Sequence, residues 1–255
     1  MPTPTAVPTQ TPAAVTPIDI ARGLSDGTTV TVEGVLTTDL GALEGGRTAF
    51  VQDATGGIAL YLDTAVAGGG VGTWIRVTGT TDSRFSQRTI RVAAAGIVAI
   101  GPAPLPVPLA VATGAVGEDL EGLRVAVTGT VVEAPSALAD GTGLLIDDGS
   151  GSVRIVVTPV ALGGLAVARD AVVSVTGPVG QRDSTGAGTT GYRVFATLQG
   201  EISIVPVPSP SPSPATSPAP TPAPTGAPSP SGSPTASRTP SASPSPAQTA
   251  VPTPV

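Results

Sequence analysis

The sequence contains no cysteine, no histidine and no lysine, and aromatic residues make up only 2% of it. The absence of cysteine rules out disulfides and thiolate metal ligands, and the absence of histidine removes the commonest general base and metal ligand. Most familiar active sites are thereby excluded, so we expect no catalytic residues, no cofactor and no metal. With 12% charged residues, a folded core has to consist mainly of valine, isoleucine, leucine and alanine, and β-branched residues favour strands.

Positive charge and long apolar runs are also scarce. The 12 basic residues, all arginine, face 18 acidic residues, which gives a net charge of −6 and an isoelectric point near 4.5. Nucleic-acid-binding proteins usually present a basic patch or stripe, so this balance favours a structural spacer, or a protein or glycan partner, over nucleic acid. No stretch approaches the roughly 20 apolar residues that cross a bilayer, and we expect no membrane span.

Proline, serine and threonine crowd both ends of the chain. Residues 1–16 lack a signal region and resemble a linker after an upstream domain, so we expect the chain to belong to a larger protein. Residues 206–255 carry Arg238 as their only charge. Neither segment can bury enough apolar surface to offset its chain entropy, and both are predicted to be disordered. The second would form an extended spacer, with O-glycosylation as one hypothesis.

An internal repeat occupies the middle of the chain. Gly34 in VTVEGVL precedes Gly129 in VAVTGTV by 95 residues, and Asp53 precedes Asp148 by the same offset. FVQDATGGIALY therefore aligns with LIDDGSGSVRIV without a gap. The repeat predicts two domains, at residues 17–101 and 109–205. A proline-rich linker at residues 102–108 joins them.

Each copy alternates apolar and polar residues with a period of two, which is typical of half-buried strands. In the first copy we predict five strands, at residues 28–37, 48–53, 57–62, 73–80 and 88–94. Short helices are predicted over residues 18–24 and around 116–123, whereas VAGGGVG after the third strand is too glycine-rich for a helix. Five short strands with a recurrent glycine predict a small closed barrel, and a β-sandwich is the alternative.

The segments GLSDGTTVTVEGVLT, TAFVQDATGGIALYL and WIRVTGT resemble bacterial OB-fold (oligonucleotide/oligosaccharide-binding) domains, which occur beside extracellular nucleases and in multidomain surface proteins. EDLEGLRVAVTGTV and LLIDDGSGSVRIVV resemble the same family, so the resemblance covers residues 17 to about 205. It implies an all-β chain of two tandem five-stranded OB-like barrels. It also implies an extracellular or cell-surface location and a noncatalytic accessory module that often binds nucleic acid.

Candidate ligand-binding residues lie in the first copy, because OB domains generally bind on the face of strands two and three and with the adjoining loops. Aromatic rings with nearby cations suit the stacking of single-stranded bases. The loop TDSRFSQR, at residues 81–88, adds two arginines and a phenylalanine beside this face. The candidate nucleic-acid-binding residues are Arg47, Phe50, Gln52, Tyr61, Trp74, Arg84, Phe85 and Arg88. Each aromatic residue has a structural alternative, since rings in an aromatic-poor barrel often pack in the core or plug its end.

The second copy lacks several of these candidate binding residues. Leu145, Asp147, Val156 and Val172 stand where the first copy has Phe50, Gln52, Tyr61 and Trp74. The second copy is thus predicted to act as a spacer or to contact a protein. Asp140, Asp147, Asp148 and Asp183 could collect calcium, but carboxylates beside glycine-rich turns usually form the turns themselves. A glycosidase with two carboxylates is conceivable without histidine, yet no feature favours it, and we predict no enzymatic activity.

Overall fold

The computed structural model describes residues 14–66 and 69–206, and these residues form two β-barrels. Of the two segments that were predicted to be disordered, residues 1–13 and 207–255 lie outside the described residues. Within the described ranges, no helix is long and apolar enough to cross a membrane.

The first barrel, barrel 1, follows a short helix, α1 (Ile18–Arg22). Its strands are β1 (Thr29–Leu36), β2 (Thr48–Gln52), β3 (Gly57–Leu62), β4 (Thr73–Arg84), β5 (Gln87–Val92) and β6 (Ile97–Pro102). They are hydrogen-bonded in the order β1-β2-β3-β5-β4, and β4 returns to β1 to close the barrel. Only β3 and β5 run parallel among these five pairings, and β6 extends the sheet beside β4.

The second barrel, barrel 2, repeats this topology. Its elements are β7 (Leu109–Ala110), β8 (Arg124–Val131), β9 (Ser136–Leu138), β10 (Gly141–Asp147), β11 (Ser152–Val157), α2 (Pro159–Leu162), β12 (Val172–Gln181), β13 (Tyr192–Ala196) and β14 (Ile202–Ile204). The closed order is β8-β10-β11-β13-β12, with β12 paired to β8. The expected fold, two tandem five-stranded OB-like barrels rather than sandwiches, is confirmed.

The glycines that mark the repeat lie where two strands cross closely. Gly34 of β1 lies against β2, and a Cβ at this position would be 2.7 Å from the carbonyl oxygen of Gln52. Gly129 of β8 has the same relation to Asp147 of β10, at 3.0 Å. A side chain would push the strands apart at the point where the sheet bends to close, so glycine recurs there.

The repeated aspartates tie the segment before each barrel to the turn between its second and third strands. Asp53 accepts hydrogen bonds from the backbone N–H groups of Ile18 and Thr55 at 3.0 and 2.7 Å. Asp148 accepts from Thr113 and Ser150, and the Ser150 hydroxyl is the main cause that holds the pKa of Asp148 below its ordinary value. Both carboxylates thus act as turn formers.

The connection between β4 and β5 differs from the predicted eight-residue loop. β4 continues to Arg84 and β5 begins at Gln87, so Phe85 and Ser86 alone form the turn. Both have positive φ angles, 51° and 69°. A two-residue turn with this geometry matches the right-handed twist of the two strands, which therefore remain paired to their ends.

The two barrels share a third apolar cluster. It joins β2 and β3 of barrel 1 to β11 and β13 of barrel 2 through Leu43, Phe50, Ala59, Val156 and Phe195. The ring centroids of Phe50 and Phe195 are 5.7 Å apart with their planes inclined by 36°, a favourable arrangement for aromatic pairs. Phe50 is completely buried. The face of β2 and β3 that an OB barrel would use for a ligand is therefore packed, in barrel 1, against β11 and β13 of barrel 2.

Polar groups surround this apolar cluster and cross between the barrels. The Gln52 side chain accepts a hydrogen bond from the backbone N–H of Arg124 at 2.9 Å, and the Gln87 side chain accepts from that of Gln181 at 2.8 Å. The Phe85 carbonyl accepts from the N–H of Asp183 at 2.8 Å. Because buried backbone donors need partners, these contacts fix the register of one barrel on the other.

Glu121 of barrel 2 is buried where barrel 1 meets it. Its Oε1 accepts from Arg22 at 3.2 Å and from the N–H of Arg88 at 2.9 Å, while its Oε2 accepts no hydrogen bond within the described part of the chain. Burial raises the pKa of Glu121 to about 7, although the positive charge of Arg22 opposes this rise. The folded protein therefore favours the protonated side chain compared with the unfolded chain.

A glycine pair allows the backbones of the two barrels to touch. A Cβ on Gly57 would overlap the backbone of Gly122 across the interface, and the reverse is also true. Gly57 has no positive φ, so close approach alone requires glycine there.

We expect Gly57→Ala to lower the free energy of unfolding by about 1–3 kcal/mol, the usual cost of inserting a methyl group into a packed contact. Gly101→Ala is the matched control, because a Cβ at Gly101 meets nothing within 4 Å. Urea unfolding of both variants measures the difference. Equal stability of the two variants would show that the barrels do not pack this closely.

The buried Glu121 predicts an unusual pH dependence. The pKa of Glu121 is raised in the folded state, so protonation of its side chain contributes to the stability of the fold. This contribution is complete below the ordinary pKa of 4.5 and is lost as the pH rises through about 7. Urea unfolding from about pH 5 to about pH 8 should show this decline in the wild type and its absence in Glu121→Gln. The exposed Glu133→Gln is the control and should keep the decline. Parallel curves for the wild type and Glu121→Gln would contradict the prediction.

Candidate nucleic-acid interface

The predicted site residues on β2 face barrel 2 rather than solvent. Phe50 packs on Phe195, and the Gln52 side chain is bound to the backbone of Arg124. Phe50 and Gln52 share one face of β2, as alternation along the strand predicts, but the prediction took no account of contact between the two copies. The structure leaves neither residue exposed to a ligand, because the second barrel occupies their face.

Two further predicted residues are held elsewhere. Trp74 lies beside the β2–β3 turn, where its Nε1 donates to Glu33 at 3.2 Å. Arg76 donates to the same carboxylate at 2.7 Å, and this bond is the main cause that lowers the pKa of Glu33. The Arg88 guanidinium binds Asp26 and the carbonyl oxygen of Leu24. The structure thus separates Trp74 and Arg88 from the other predicted residues.

The remaining predicted residues meet at the edge of the inter-barrel contact. The Arg84 guanidinium lies 3.8 Å from the ring centroid of Tyr61, and those of Arg91 and Arg47 lie at 5.2 and 6.0 Å. Tyr61 and Arg91 are direct partners on β3 and β5, so their side chains emerge from the same face. Three cations therefore surround one half-buried ring.

Barrel 2 extends this cluster from the other side. The Arg182 guanidinium lies 4.0 Å from the ring centroid of Phe85, whose side chain is 41% exposed. Glu44 links the two barrels by ion pairs with Arg84 at 3.0 Å and with Arg182 at 3.6 Å. The turn at Phe85 thus presents its ring between one arginine from each barrel.

Arg154 of β11 and Arg193 of β13 complete the group. Burial lowers the pKa of Arg193 below its ordinary value, and the nearby charges of Arg182 and Arg154 lower it further. Arg182 and Arg193 line one small cavity with Asp140. The sequence-based prediction missed these arginines because the second copy lacks the candidate residues of the first and was therefore expected to act as a spacer or to contact a protein. The signal available was the period of two, which places Arg154 on the outer face of its strand.

We call this surface the arginine seam. Its members are Arg47, Tyr61, Arg84, Phe85, Arg91, Arg154, Arg182 and Arg193. It contains half of the 12 arginines of the chain. The carboxylates Glu44, Asp63, Asp82 and Asp140 lie among them. The seam is locally positive, although the whole chain is negative.

Three arginines of the seam remain without an ion pair in the described residues, Arg47, Arg154 and Arg193. The other pairs are partly exposed, and such pairs contribute about 0–1 kcal/mol each. An incoming anion can therefore be bound by unpaired guanidinium groups and can exchange with weakly held carboxylates. The two rings nearby offer apolar faces on which a base or another flat group can stack.

No family model and no curated protein matches the sequence. Among solved structures, the chain is similar to the Escherichia coli protein YgiW, with 20% identity over 38% of this chain and 100% of YgiW and a TM-score of 0.29. For the second OB-fold domain of replication protein A from Methanococcus maripaludis, the identity is 20% over 38% of this chain and 95% of that domain, with a TM-score of 0.27.

A murine DNA-binding protein solved with double-stranded DNA matches over a longer stretch. Its identity is 10% over 71% of this chain and 98% of that chain, with a TM-score of 0.34. These likenesses concern the fold alone. The OB-type architecture rests on the closed five-strand order of each barrel itself.

Proposed function

We propose that this chain is a noncatalytic module of a larger, secreted or surface-attached bacterial protein, in which the fused barrel pair serves as a rigid spacer. One observation carries the proposal: the centre of the face that barrel 1 would offer to a ligand, with Phe50 and Ala59, is buried against β11 and β13 of barrel 2. Proline-rich segments at both ends of the sequence suit connections to neighbouring domains. A sequence without histidine and cysteine suits a noncatalytic role.

Several contacts support rigidity. The apolar cluster excludes water from the centre of the interface, and hydrogen bonds from Gln52 and Gln87 fix its register. Arg22 adds ion pairs to Glu118 and Glu121 at 3.0 and 3.2 Å. Domains connected by a linker alone would reorient freely, whereas an apolar interface with paired polar groups holds them in one orientation.

We expect ¹⁵N relaxation of the full chain to give one rotational correlation time for both barrels. Phe50→Asp places a charge in the apolar cluster, so the barrels should separate and tumble with shorter, unequal times. Val160→Asp is the matched control, because this residue is 66% exposed and lies outside the cluster. Independent tumbling of the two barrels in the wild type would overturn the spacer proposal.

A second candidate function is the binding of single-stranded nucleic acid along the arginine seam. It is supported by the concentration of arginines around Tyr61 and Phe85 and by the three arginines without ion pairs. A strand running between the barrels would place phosphates on the guanidinium groups and bases on the rings. This site replaces the predicted one on β2, which the second barrel covers.

Fluorescence anisotropy with a labelled oligo-dT tests this candidate. If three arginines each neutralise one phosphate and release its counterion, affinity should fall about 100-fold between about 20 mM and about 200 mM salt. For single strands, log K changes by about −0.7 per phosphate contact for each tenfold rise in salt concentration. Arg154→Gln should make this slope shallower by about 0.7. Arg169→Gln, exposed and paired with Asp170, removes the same charge outside the seam and should leave the slope unchanged. Binding without salt dependence, or no binding, would exclude the seam as a nucleic-acid site.

A further inference from the structure

One end of barrel 1 contains an apolar cavity of about 240 Å³. Its floor is formed by Leu36, Leu62 and Ile75, each 1% exposed. Its rim is formed by Val66 and Gly70, which follow β3, and by the inward face of β6, with Ala99 exposed at the opening. The cavity lies on the opposite side of the β-sheet wall from the inter-barrel contact, since Leu62 belongs to the interior cluster of barrel 1.

Barrel 2 shows what normally fills this place. Val157 and Val173, the repeat equivalents of Leu62 and Ile75, are completely buried. The loop that follows Val157 forms α2, in which Thr158 caps the first turn by accepting from the N–H of Ala161. Ala161 belongs to the core of barrel 2, and Leu162, Leu165 and Val167 pack against it. A helical turn with aliphatic side chains thus closes this end of barrel 2.

The corresponding loop of barrel 1 is shorter, and fewer hydrophobic side chains of its described residues pack against the core. It runs from Asp63 to Gly72, and Val66 is its one described hydrophobic residue that packs against the core. On the opposite rim, Ile97 is only half-buried, whereas its equivalent in barrel 2, Ile202, is 6% exposed. Strand pairing supports this equivalence, since both face the matching valine of the fourth barrel strand.

The lining determines the chemistry of an occupant. Among the described residues that line the cavity, Thr73 is the one with a polar side chain, and none is charged. An ionised group would lose its hydration there without compensation, whereas a hydrocarbon would gain burial. An apolar cavity of about 150 Å³ holds benzene. By proportion, this cavity accommodates about ten carbon atoms.

We propose that the open end of barrel 1 is a binding site for a compact neutral hydrocarbon group, which takes the place that α2 fills in barrel 2. The group is a short alkyl chain or a single substituted ring. It is either a free small molecule or the end of a longer chain that leaves through the opening at Ala99. This site is independent of the arginine seam and of the proposed spacer function.

A series of n-alcohols from butanol to dodecanol tests the proposal on the full chain, with methyl NMR shifts of the leucines and isoleucines as the readout. Affinity should rise about fourfold for each added methylene until the cavity is full, at about eight to ten carbons. A plateau for longer alcohols would identify the end of a longer chain as the occupant. A fall for longer alcohols would identify a compact free molecule. Absence of shifts at Leu36, Leu62 and Ile75 would overturn the proposal.

Three variants distinguish binding in the cavity from adsorption on the protein surface. Ala99→Leu fills the opening and should weaken octanol binding at least about tenfold, since it removes the space for several methylenes. Val98→Leu is the matched control, because Val98 lies on the opposite, exposed face of the same strand and should leave binding unchanged. Leu40→Ala enlarges the cavity, so affinity should continue to rise to longer alcohols before it stops increasing. Equal affinity in all variants would mean surface adsorption and would refute the site.

Discussion

The burial of Phe50 against Phe195 determines how the rest of the molecule is arranged. The chain has only three phenylalanines, and two of them form this contact. An exposed phenylalanine on the outer face of a small barrel leaves a large apolar surface in water, and packing two such faces together removes it. Because the contact covers the centre of both faces, charged side chains can emerge only around it. The arginine seam is the polar edge of that apolar contact.

The same contact explains why polar groups of one barrel form hydrogen bonds with polar groups of the other. A backbone N–H brought against an apolar face loses water and needs another acceptor. Gln52 and Gln87 supply acceptors at two such places, and each is a neutral side chain that costs less to bury than a carboxylate. Glu121 is one exception, since it is a buried carboxylate whose Oε2 accepts no hydrogen bond in the described part of the chain. The interface therefore has polar contacts of unequal quality, and the free energy of the Glu121 contact varies with pH.

The sequence predicted the barrels well because each strand carries its own information. Alternating residues define the strands, and Gly34 and Gly129 mark the places where backbones cross. The site was predicted less well because it depends on contacts between distant segments. Nothing in the local pattern around Phe50 distinguishes a face that binds a base from one that binds another barrel. The Phe85–Ser86 turn was also missed, since neither residue is typical of positions with positive φ.

The two copies also differ at one barrel end, in the loop that follows the third strand of each barrel. Their contact faces must remain complementary, so a change in one has to be matched across the interface, as for Gly57 and Gly122. The barrel ends are free of this requirement. Barrel 2 closes its end with α2, whereas barrel 1 keeps a cavity that an independently folding barrel would tend to fill, because unfilled apolar space forfeits contacts. The contact with barrel 2 can offset these forfeited contacts, since the interface stabilises barrel 1 on the side opposite the cavity. The contact that occupies the ligand face of barrel 1 therefore also allows its end to remain open.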